Sequence, residues 1–584
     1  MLNTMRKLLN KNLFCFGLFL FAIVLSVWLK NDNTYDFKNY HYYNAFAFLN
    51  GRLNYDIVPA YVNTFFNPLI ELPLFFYIQW FNCHLNIIMA LQGIWFGILL
   101  VAVFKIAELF IDFSKKSSWL YFLYTLFIIT TSCTVLPQIG SSTNEIMIAS
   151  VGIWGMYILL YMFKYSDKQK GMMYFFSGVI IGMAVGLKQT FVCMALASGI
   201  MLCVSFKNLK HPIKYITLFA LGGIFGGILT CGFMMWKYWN LYGNPFFPFL
   251  NGIFQSPYME ALNYRDDTSK PKLISYFLSP YIWFVSPKYK PNGFCGFAIL
   301  VYYSFSFGLF FYLLFMRKLT VFYKKEKALF ALLFFLLTYF YIWLILFSIY
   351  RYAVIYEVLS AILLVAFICG NNRKNKYKNL LLIILFFFLW YPNPLEFNDY
   401  REKKDHKCYI ETEKVVLPDN TLLQVFGIQN SYMIAELAKN NTIRALGYYP
   451  KCEEGKFCHF GRGADIAEHG KFFEMRKEVE EKHVGAKVVL YSTFFNTPES
   501  IKFKMSEDGK KLHRRCVHFR SIGKLNGVNC DYLYHDYSEN DIKMLTLIND
   551  MYCKKLDSNL NDKGNSSIFI CVPPELKQQI LPED

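Results

Sequence analysis

Four charged side chains stand where apolar runs of the sequence give way to polar ones: Asp36, Glu145, Lys188 and Arg351. A carboxylate held near a bilayer surface is partly desolvated, which raises its pKa and suits it to take a proton from a hydroxyl. Asp36 follows the first apolar run and fits that role; a solvated acid at a helix start is the plainer reading. Arg351 lies in Ser348-Ile349-Tyr350-Arg351-Tyr352, between two apolar runs. A cation there is costly unless it is paired or faces a polar cavity, and its planar fork matches a phosphate or diphosphate. Tyr350 is positioned to line the same cavity.

Lys188 follows Gly178, Gly182 and Gly186, a small-residue ridge repeating every four residues that suits close helix packing. It either snorkels to lipid headgroups or binds the phosphate of a lipid-linked ligand. Glu145 closes Ser141-Ser142-Thr143-Asn144-Glu145 at the start of another run. Ser142 or Thr143 as helix cap, with Glu145 favoured by the helix dipole, explains it structurally. Tyr40 and His41 follow Asp36, although an interfacial aromatic segment often carries a structural histidine. Asn244, before Pro245, and Arg265, beside Asp266 and Asp267, belong to a long aromatic loop that suits an interfacial lid. Arg265 is either in a surface ion pair or a substrate clamp.

The elements that must position these residues follow from composition. Hydrophobic residues make up 55% of the 584, and only 17% are charged, against about 25% in soluble domains. Apolar runs lie near 13–29, 86–110, 119–136, 146–163, 174–187, 190–206, 215–235, 297–316, 328–349, 352–369 and 380–392, predicting about eleven transmembrane helices. A bilayer crossing needs about 20 apolar residues. The run 13–29 is read as a retained first helix rather than a cleaved leader. Alternate gaps are basic: Lys115 and Lys116; Lys164, Lys168 and Lys170; Lys207, Lys210 and Lys214; Arg317 to Lys327; Arg373 to Lys378. The positive-inside bias puts these gaps and the N-terminus in the cytoplasm. This works only if 174–206 is split at Lys188-Gln189. The same bias accounts for the net charge of +18, so a nucleic-acid partner is not expected. The loops 30–85, 136–145 and 236–296 then fall on the outer face with the C-terminal part.

An acid after the first transmembrane helix, an amphipathic outer segment, a glycine ridge ending in Lys188 and a late Tyr350-Arg351-Tyr352 together resemble the GT-C superfamily of polyprenyl-phosphate-sugar-dependent membrane glycosyltransferases, in an uncharacterised bacterial branch. The resemblance covers residues 1–392. It implies an inverting transfer from a polyprenyl-phosphate-linked sugar donor to an extracytoplasmic glycan, lipid or protein acceptor. Asp36 and Glu145 would be catalytic, Arg351 and Lys188 would hold the donor phosphate, and Tyr40, His41, Asn244, Arg265 and Tyr350 would contact substrate. No metal site is read from the sequence; a divalent cation would require Asp36 and Glu145 to converge. The rivals are a lipid-linked glycan polymerase or ligase, and a transporter or flippase of envelope lipids. No internal repeat of the transporter kind is found, and no nucleotide-binding loop or zinc spacing.

Residues 393–584 read as an extracytoplasmic soluble α/β domain. Strand-like runs at 422–427 and 486–491 flank a helical pattern at 431–438. The domain holds seven of the fifteen cysteines. Cys452 with Cys458, and Cys516 with Cys530, are candidate local bridges in an oxidising compartment. The eight cysteines before residue 392 read as small apolar residues in or near helices.

Overall fold

The computed structural model describes residues 2–30, 34–259, 261, 276–285, 297–370, 385, 407–427, 429–439, 442–448, 470–492, 506–508, 511, 524–525, 528–529, 539–560 and 567–581. In chain order the helices are α1 (Leu2–Leu29), α2 (Tyr42–Leu49), α3 (Leu72–Phe81), α4 (Leu85–Ala107), α5 (Lys116–Thr130), α6 (Glu145–Lys164), α7 (Gly171–Leu187), α8 (Val192–Val204) and α9 (Pro212–Tyr242). They continue as α10 (Asn251–Phe254), α11 (Ser279–Val285), α12 (Ala298–Phe315), α13 (Leu319–Lys325), α14 (Lys327–Leu346), α15 (Val354–Gly370), α16 (Ser431–Leu437), α17 (Gly470–Lys482), α18 (Glu539–Ile548) and α19 (Lys577–Ile580). The strands are β1 (Leu422–Phe426), β2 (Arg444–Tyr448), β3 (Lys487–Ser492), β4 (Lys524–Leu525), β5 (Val528–Asn529), β6 (Tyr552–Leu556) and β7 (Ile568–Val572). Two compact units result. The first is Met1–Thr34, Phe76–Trp236 and Arg265–Lys407; the second is Tyr35–Phe75, Lys237–Tyr264 and Cys408–Asp584.

Seven helices of the described residues are long and apolar enough to cross a membrane: Lys11–Leu29, Leu85–Ala107, Glu145–Lys164, Pro212–Tyr242, Ala298–Phe315, Lys327–Leu346 and Tyr350–Ile368. The chain is therefore a polytopic α-helical membrane protein, but the eleven expected spans are not found. The runs expected at 119–136, 174–187 and 190–206 form the shorter helices Ser117–Thr130, Gly171–Leu187 and Gln189–Val204. At 1.5 Å rise per residue, helices of 13–17 residues reach roughly 20–26 Å, short of about 30 Å of hydrocarbon. The run expected at 380–392 lies outside the described residues, as does the domain boundary expected at 392/393. Most of α15 is buried, whereas the spans of α1 and α9 are mostly exposed. The outward residues of α9 are apolar (Leu221, Ile224, Phe225, Ile228, Leu229), with Trp236 and Trp239 near its end. That is the pattern of a lipid-facing helix with an aromatic belt.

The glycine ridge packs as its spacing predicts. A Cβ placed on Gly178 would lie 2.1 Å from Phe219 O, and one on Gly182 2.1 Å from Gly223 O. From the opposite helix, Cβ atoms on Gly222 and Gly226 would lie 2.1 Å from Phe175 O and Val179 O. The backbones of α7 and α9 touch, which only glycine permits.

The split at Lys188 is also present. α7 stops at Leu187, Lys188 is extended (φ −146°, ψ 116°), and a 3₁₀ turn over Gln189–Phe191 leads into α8. Gln169, just before α7, donates from Nε2 to Asn208 O beyond α8 (3.1 Å), and its Oε1 accepts from the Lys210 amide (2.9 Å). The chain therefore goes out along α7 and returns along α8. Around that end gather the basic gaps: Asn208 donates to Tyr323 O, Lys210 to Asp167 O, and Lys327 to Ser166 Oγ.

The opposite end of the same unit is joined by polar side chains. Ser26 Oγ donates to Met89 O (2.6 Å), Gln92 Nε2 donates to Ser141 O (3.1 Å), and Thr34 and Ser142 share a hydroxyl hydrogen bond. Gly140, at φ +73°, lies so close to Ser26 Oγ that a Cβ there would be 2.1 Å away.

The second unit is built on a five-stranded sheet of order β2-β1-β3-β7-β6. β1 pairs in parallel with β2 and β3, and β7 runs antiparallel to β3 and β6. The expected strands at 422–427 and 486–491 and the helix at 431–438 correspond to β1, β3 and α16. The surprise is the segment between α2 and α3, which joins this sheet. Ile57 bridges Leu446 in parallel, its amide donates to Ala445 O (3.0 Å), and the Gly447 amide donates to Ile57 O (2.9 Å). Asp56 locks the junction: it accepts from Arg52 Nε and Nη2 (2.9 and 2.8 Å), Tyr43 OH (2.7 Å) and the Ala445 amide (2.8 Å). Burial pushes the Asp56 carboxyl up, and Arg52 and the other donors pull against that shift.

The cysteines need one correction. Cys83 is disulfide-bonded, as are Cys408, Cys553 and Cys571, so Cys83 is not a small apolar filler. Cys553 bonds Cys571 across the antiparallel pair β6–β7. Cys15, Cys193, Cys203 and Cys231 are free thiols. The expected bridges Cys452–Cys458 and Cys516–Cys530 lie outside the described residues.

Candidate anion-binding site

Three of the four charged residues singled out above meet in the first unit. Glu145 is the first residue of α6, where the helix dipole favours a carboxylate; Lys188 caps the end of α7, where it favours a cation. The cap before Glu145 is Asn144, not Ser142 or Thr143, and no side chain bonds in capping fashion. Thr143 is turned instead toward Ser141, whose Oγ accepts the Thr143 amide (3.1 Å). Arg351 rides on a 3₁₀ turn, Tyr350–Ala353, leading into α15.

Glu145 Oε1 lies 2.7 Å from Lys188 Nζ and 3.5 Å from Arg351 Nε. Both cations sit over the Tyr352 ring, at 5.4 and 5.3 Å from its centroid. Glu145 is 1% exposed, whereas the Lys188 and Arg351 side chains keep 16% and 26% of their surface. Two partly exposed cations thus flank one buried carboxylate. Burial alone would lower the Lys188 pKa, but the Glu145 carboxylate and Tyr352 together reverse this and hold it above its ordinary value. The arrangement is chemically suited to a phosphate: a point charge and a guanidinium fork, held apart by a shared counter-ion.

The turn bearing Arg351 is held from behind. Tyr350 OH donates to Glu357 Oε1 (2.6 Å), and the Thr134 hydroxyl and amide both donate to Glu357 Oε2. Gln138 Nε2 donates to Thr134 O (2.6 Å) and to Arg351 O (3.2 Å). Trp343 Nε1 donates to Ile349 O and Tyr339 OH to Tyr352 O, around Ser348 at φ +53°. Glu357 therefore ties two loops together by hydroxyl and amide donors. The buried Tyr350 hydroxyl serves the same brace.

Asp36, Tyr40, His41 and Asn244 belong to the second unit, and Arg265 lies outside the described residues. Asp36 is buried and immediately precedes a π-helical turn, Phe37–His41. The Tyr40 and His41 rings touch at a tilt of 42°, with centroids 4.2 Å apart. His41 Nδ1 lies 2.5 Å from Glu71 Oε1, both side chains being buried. The side chain of Asn244 builds its own loop: Oδ1 accepts the Phe246 amide and Nδ2 donates to Phe249 O, both at 2.9 Å. Among the described residues no group of three or more His, Cys, Asp or Glu side chains is placed to hold a metal ion.

Sequence reasoning missed Glu71 and the Arg52–Asp56 pair. The only local signal was the i, i+4 spacing of Arg52 and Asp56. No family model matches the chain, and no curated protein or solved structure shows a significant match to it.

Proposed function

We propose that this protein is a membrane glycosyltransferase that takes a sugar from a polyprenyl-phosphate donor and passes it to an extracytoplasmic acceptor. The observation that carries this reading is the Glu145–Lys188–Arg351 cluster, in which two partly exposed cations flank one buried carboxylate. A lipid-linked phosphate beside such a cluster gains two charge-assisted contacts, and its negative charge is stabilised as the sugar leaves. The cluster belongs to the helix ends away from the basic gaps, which the positive-inside bias assigns to the non-cytoplasmic surface. Disulfides at Cys83, Cys408 and Cys553–Cys571, against free thiols in the apolar helices, support an oxidising environment for the same segments. Charged residues at helix ends, rather than at mid-helix, favour the transferase over a transporter.

The test is sugar transfer from radiolabelled polyprenyl-phosphate sugars by the protein in proteoliposomes. Arg351→Ala is expected to raise the donor KM at least tenfold, with Arg351→Lys recovering part of the loss. The acceptor-activating role that the resemblance gives Asp36 is tested by Asp36→Asn, which should lower kcat with the donor KM unchanged. Absence of transfer from every lipid-linked donor offered would refute the reading.

A further inference from the structure

The loop that follows α9 turns two amide side chains inward and large apolar ones outward. Asn244 and Asn251 are fully buried. Asn244 Oδ1 accepts the Phe246 amide and its Nδ2 donates to Phe249 O, both at 2.9 Å. Asn251 Oδ1 accepts the Ser256 amide (2.9 Å), and its Nδ2 donates to Ser256 O (3.1 Å) and Met259 O (3.0 Å). Two side chains thus satisfy five backbone groups from within, where a loop in water would leave such groups to solvent.

On the outside, Ile253 is 68% exposed and Trp239 52%, and Phe246 and Leu250 are exposed as well. These residues form one patch. The Phe254 ring lies 6.5 Å from that of Trp239 and 6.1 Å from that of Phe246. The Leu250 carbonyl accepts the Ile253 and Phe254 amides on the single turn of α10. The loop is also tied down. Phe247 is buried, its ring 4.5 Å from Tyr242 and 4.8 Å from Phe65. An apolar surface held open by a braced loop marks contact with another phase or partner.

Three observations identify that phase as lipid. The patch starts at Trp239, on the last turn of α9, a membrane-spanning helix whose outward side chains are apolar. Between Lys237 and Glu260 no residue is charged, in a chain with 17% charged residues, whereas a loop bathed in water would carry several. Backbone groups satisfied from within are what hydrocarbon demands. We infer that residues 244–255 insert as a wedge into the bilayer leaflet in which α9 ends, where they anchor the second unit among the acyl chains. The wedge holds no cation, so apolar area alone drives its insertion and anionic headgroups add nothing. The inference rests on the membrane-spanning helices and not on the transferase reading, which its failure would leave untouched.

The test uses the full chain in nanodiscs with a nitroxide amino acid incorporated at Leu250 or Ile253, whose outward side chains tolerate the label. Val484, 97% exposed, serves as the water control, and Ile228, on the outward face of α9, as the lipid control. Relaxation by oxygen, which concentrates in hydrocarbon, is compared with relaxation by a water-soluble nickel chelate. At Leu250 and Ile253 the oxygen-to-nickel ratio is expected to exceed that at Val484 at least tenfold and to approach that at Ile228. It should be the same in phosphatidylcholine alone and with phosphatidylglycerol added. A ratio like that at Val484 overturns the inference, because the patch then faces water. Shielding from both reagents overturns it too, since a protein partner or a second copy then covers the patch. So does insertion that requires the anionic lipid.

Discussion

Replacing Glu145 by Gln removes the negative charge between Lys188 and Arg351 while keeping nearly the same shape. At separations of 2.7 and 3.5 Å and an effective dielectric constant near 20, the two attractions are roughly 6 and 5 kcal/mol before desolvation. Most of that is offset by the cost of burying the charges, and breaking one side of a buried ion pair leaves about 3–5 kcal/mol. Both cations retain some exposure and can turn to water, so the lower end, ~3 kcal/mol, is expected. The assay is reversible unfolding in bicelles of Glu145→Gln, Lys188→Met and the double variant. Removing both partners should restore part of the loss, with a coupling energy of about 2 kcal/mol. Because Lys188 is held above its ordinary value of 10.5 in the folded protein, its stabilising contribution is complete below that value and is lost as pH rises through the folded one. The gap between wild type and Glu145→Gln should therefore persist from pH 7 to 9 and close only in stronger alkali. A coupling energy within 0.5 kcal/mol of zero, or a gap that vanishes near pH 7, would refute the shared-counter-ion argument.

Other predictions follow from the packing. Gly182→Leu forces α7 off α9, since even a Cβ would lie 2.1 Å from Gly223 O. It should cost more than about 3 kcal/mol or abolish folded yield in size-exclusion chromatography. Gly199→Ala, with nothing within 4 Å of the new carbon, should instead stabilise by up to about 1 kcal/mol in the same unfolding assay. Arg52→Met leaves buried Asp56 without its guanidinium and should cost about 3–5 kcal/mol, seen as faster proteolysis of the C-terminal segment than in wild type. Alkylation of the intact protein should spare Cys553 and Cys571 until a reductant is added. Their removal as a Cys553→Ser/Cys571→Ser pair should destabilise the second unit by about 3 kcal/mol for a loop of this length.

The places where sequence and structure agree are those where the cause is local. Seven long apolar helices, the break at Lys188 and the glycine ridge of α7 are written in short-range hydropathy and spacing. A bilayer filters on length and polarity, and a four-residue repeat puts the glycines on one helix face. The strands β1 and β3 and the helix α16 were readable for the same reason. What the sequence could not specify is which distant partner each charged group would find. Glu145 was readable as a capping acid; only the packing of α6 against α7, with the turn before α15 beside them, made it the counter-ion of Lys188 and Arg351 together. Asn244, expected to contact substrate, braces its own loop, a contact that its neighbours in sequence did not reveal.

The deeper division concerns residues 35–75. By hydropathy they are a polar gap between two membrane helices, and nothing in their periodicity assigns them to a sheet more than 360 residues away in the chain. Edge-strand pairing of Ile57 with Leu446 depends on an open backbone edge and on the Arg52–Asp56 lock, both created only when the chain has folded. Local composition determined that this chain enters a membrane and where it turns. The meeting of its charges, and the joining of residues 35–75 to the C-terminal sheet, were decided by tertiary contacts, because pairing energy depends on distance in space and leaves no period in the sequence.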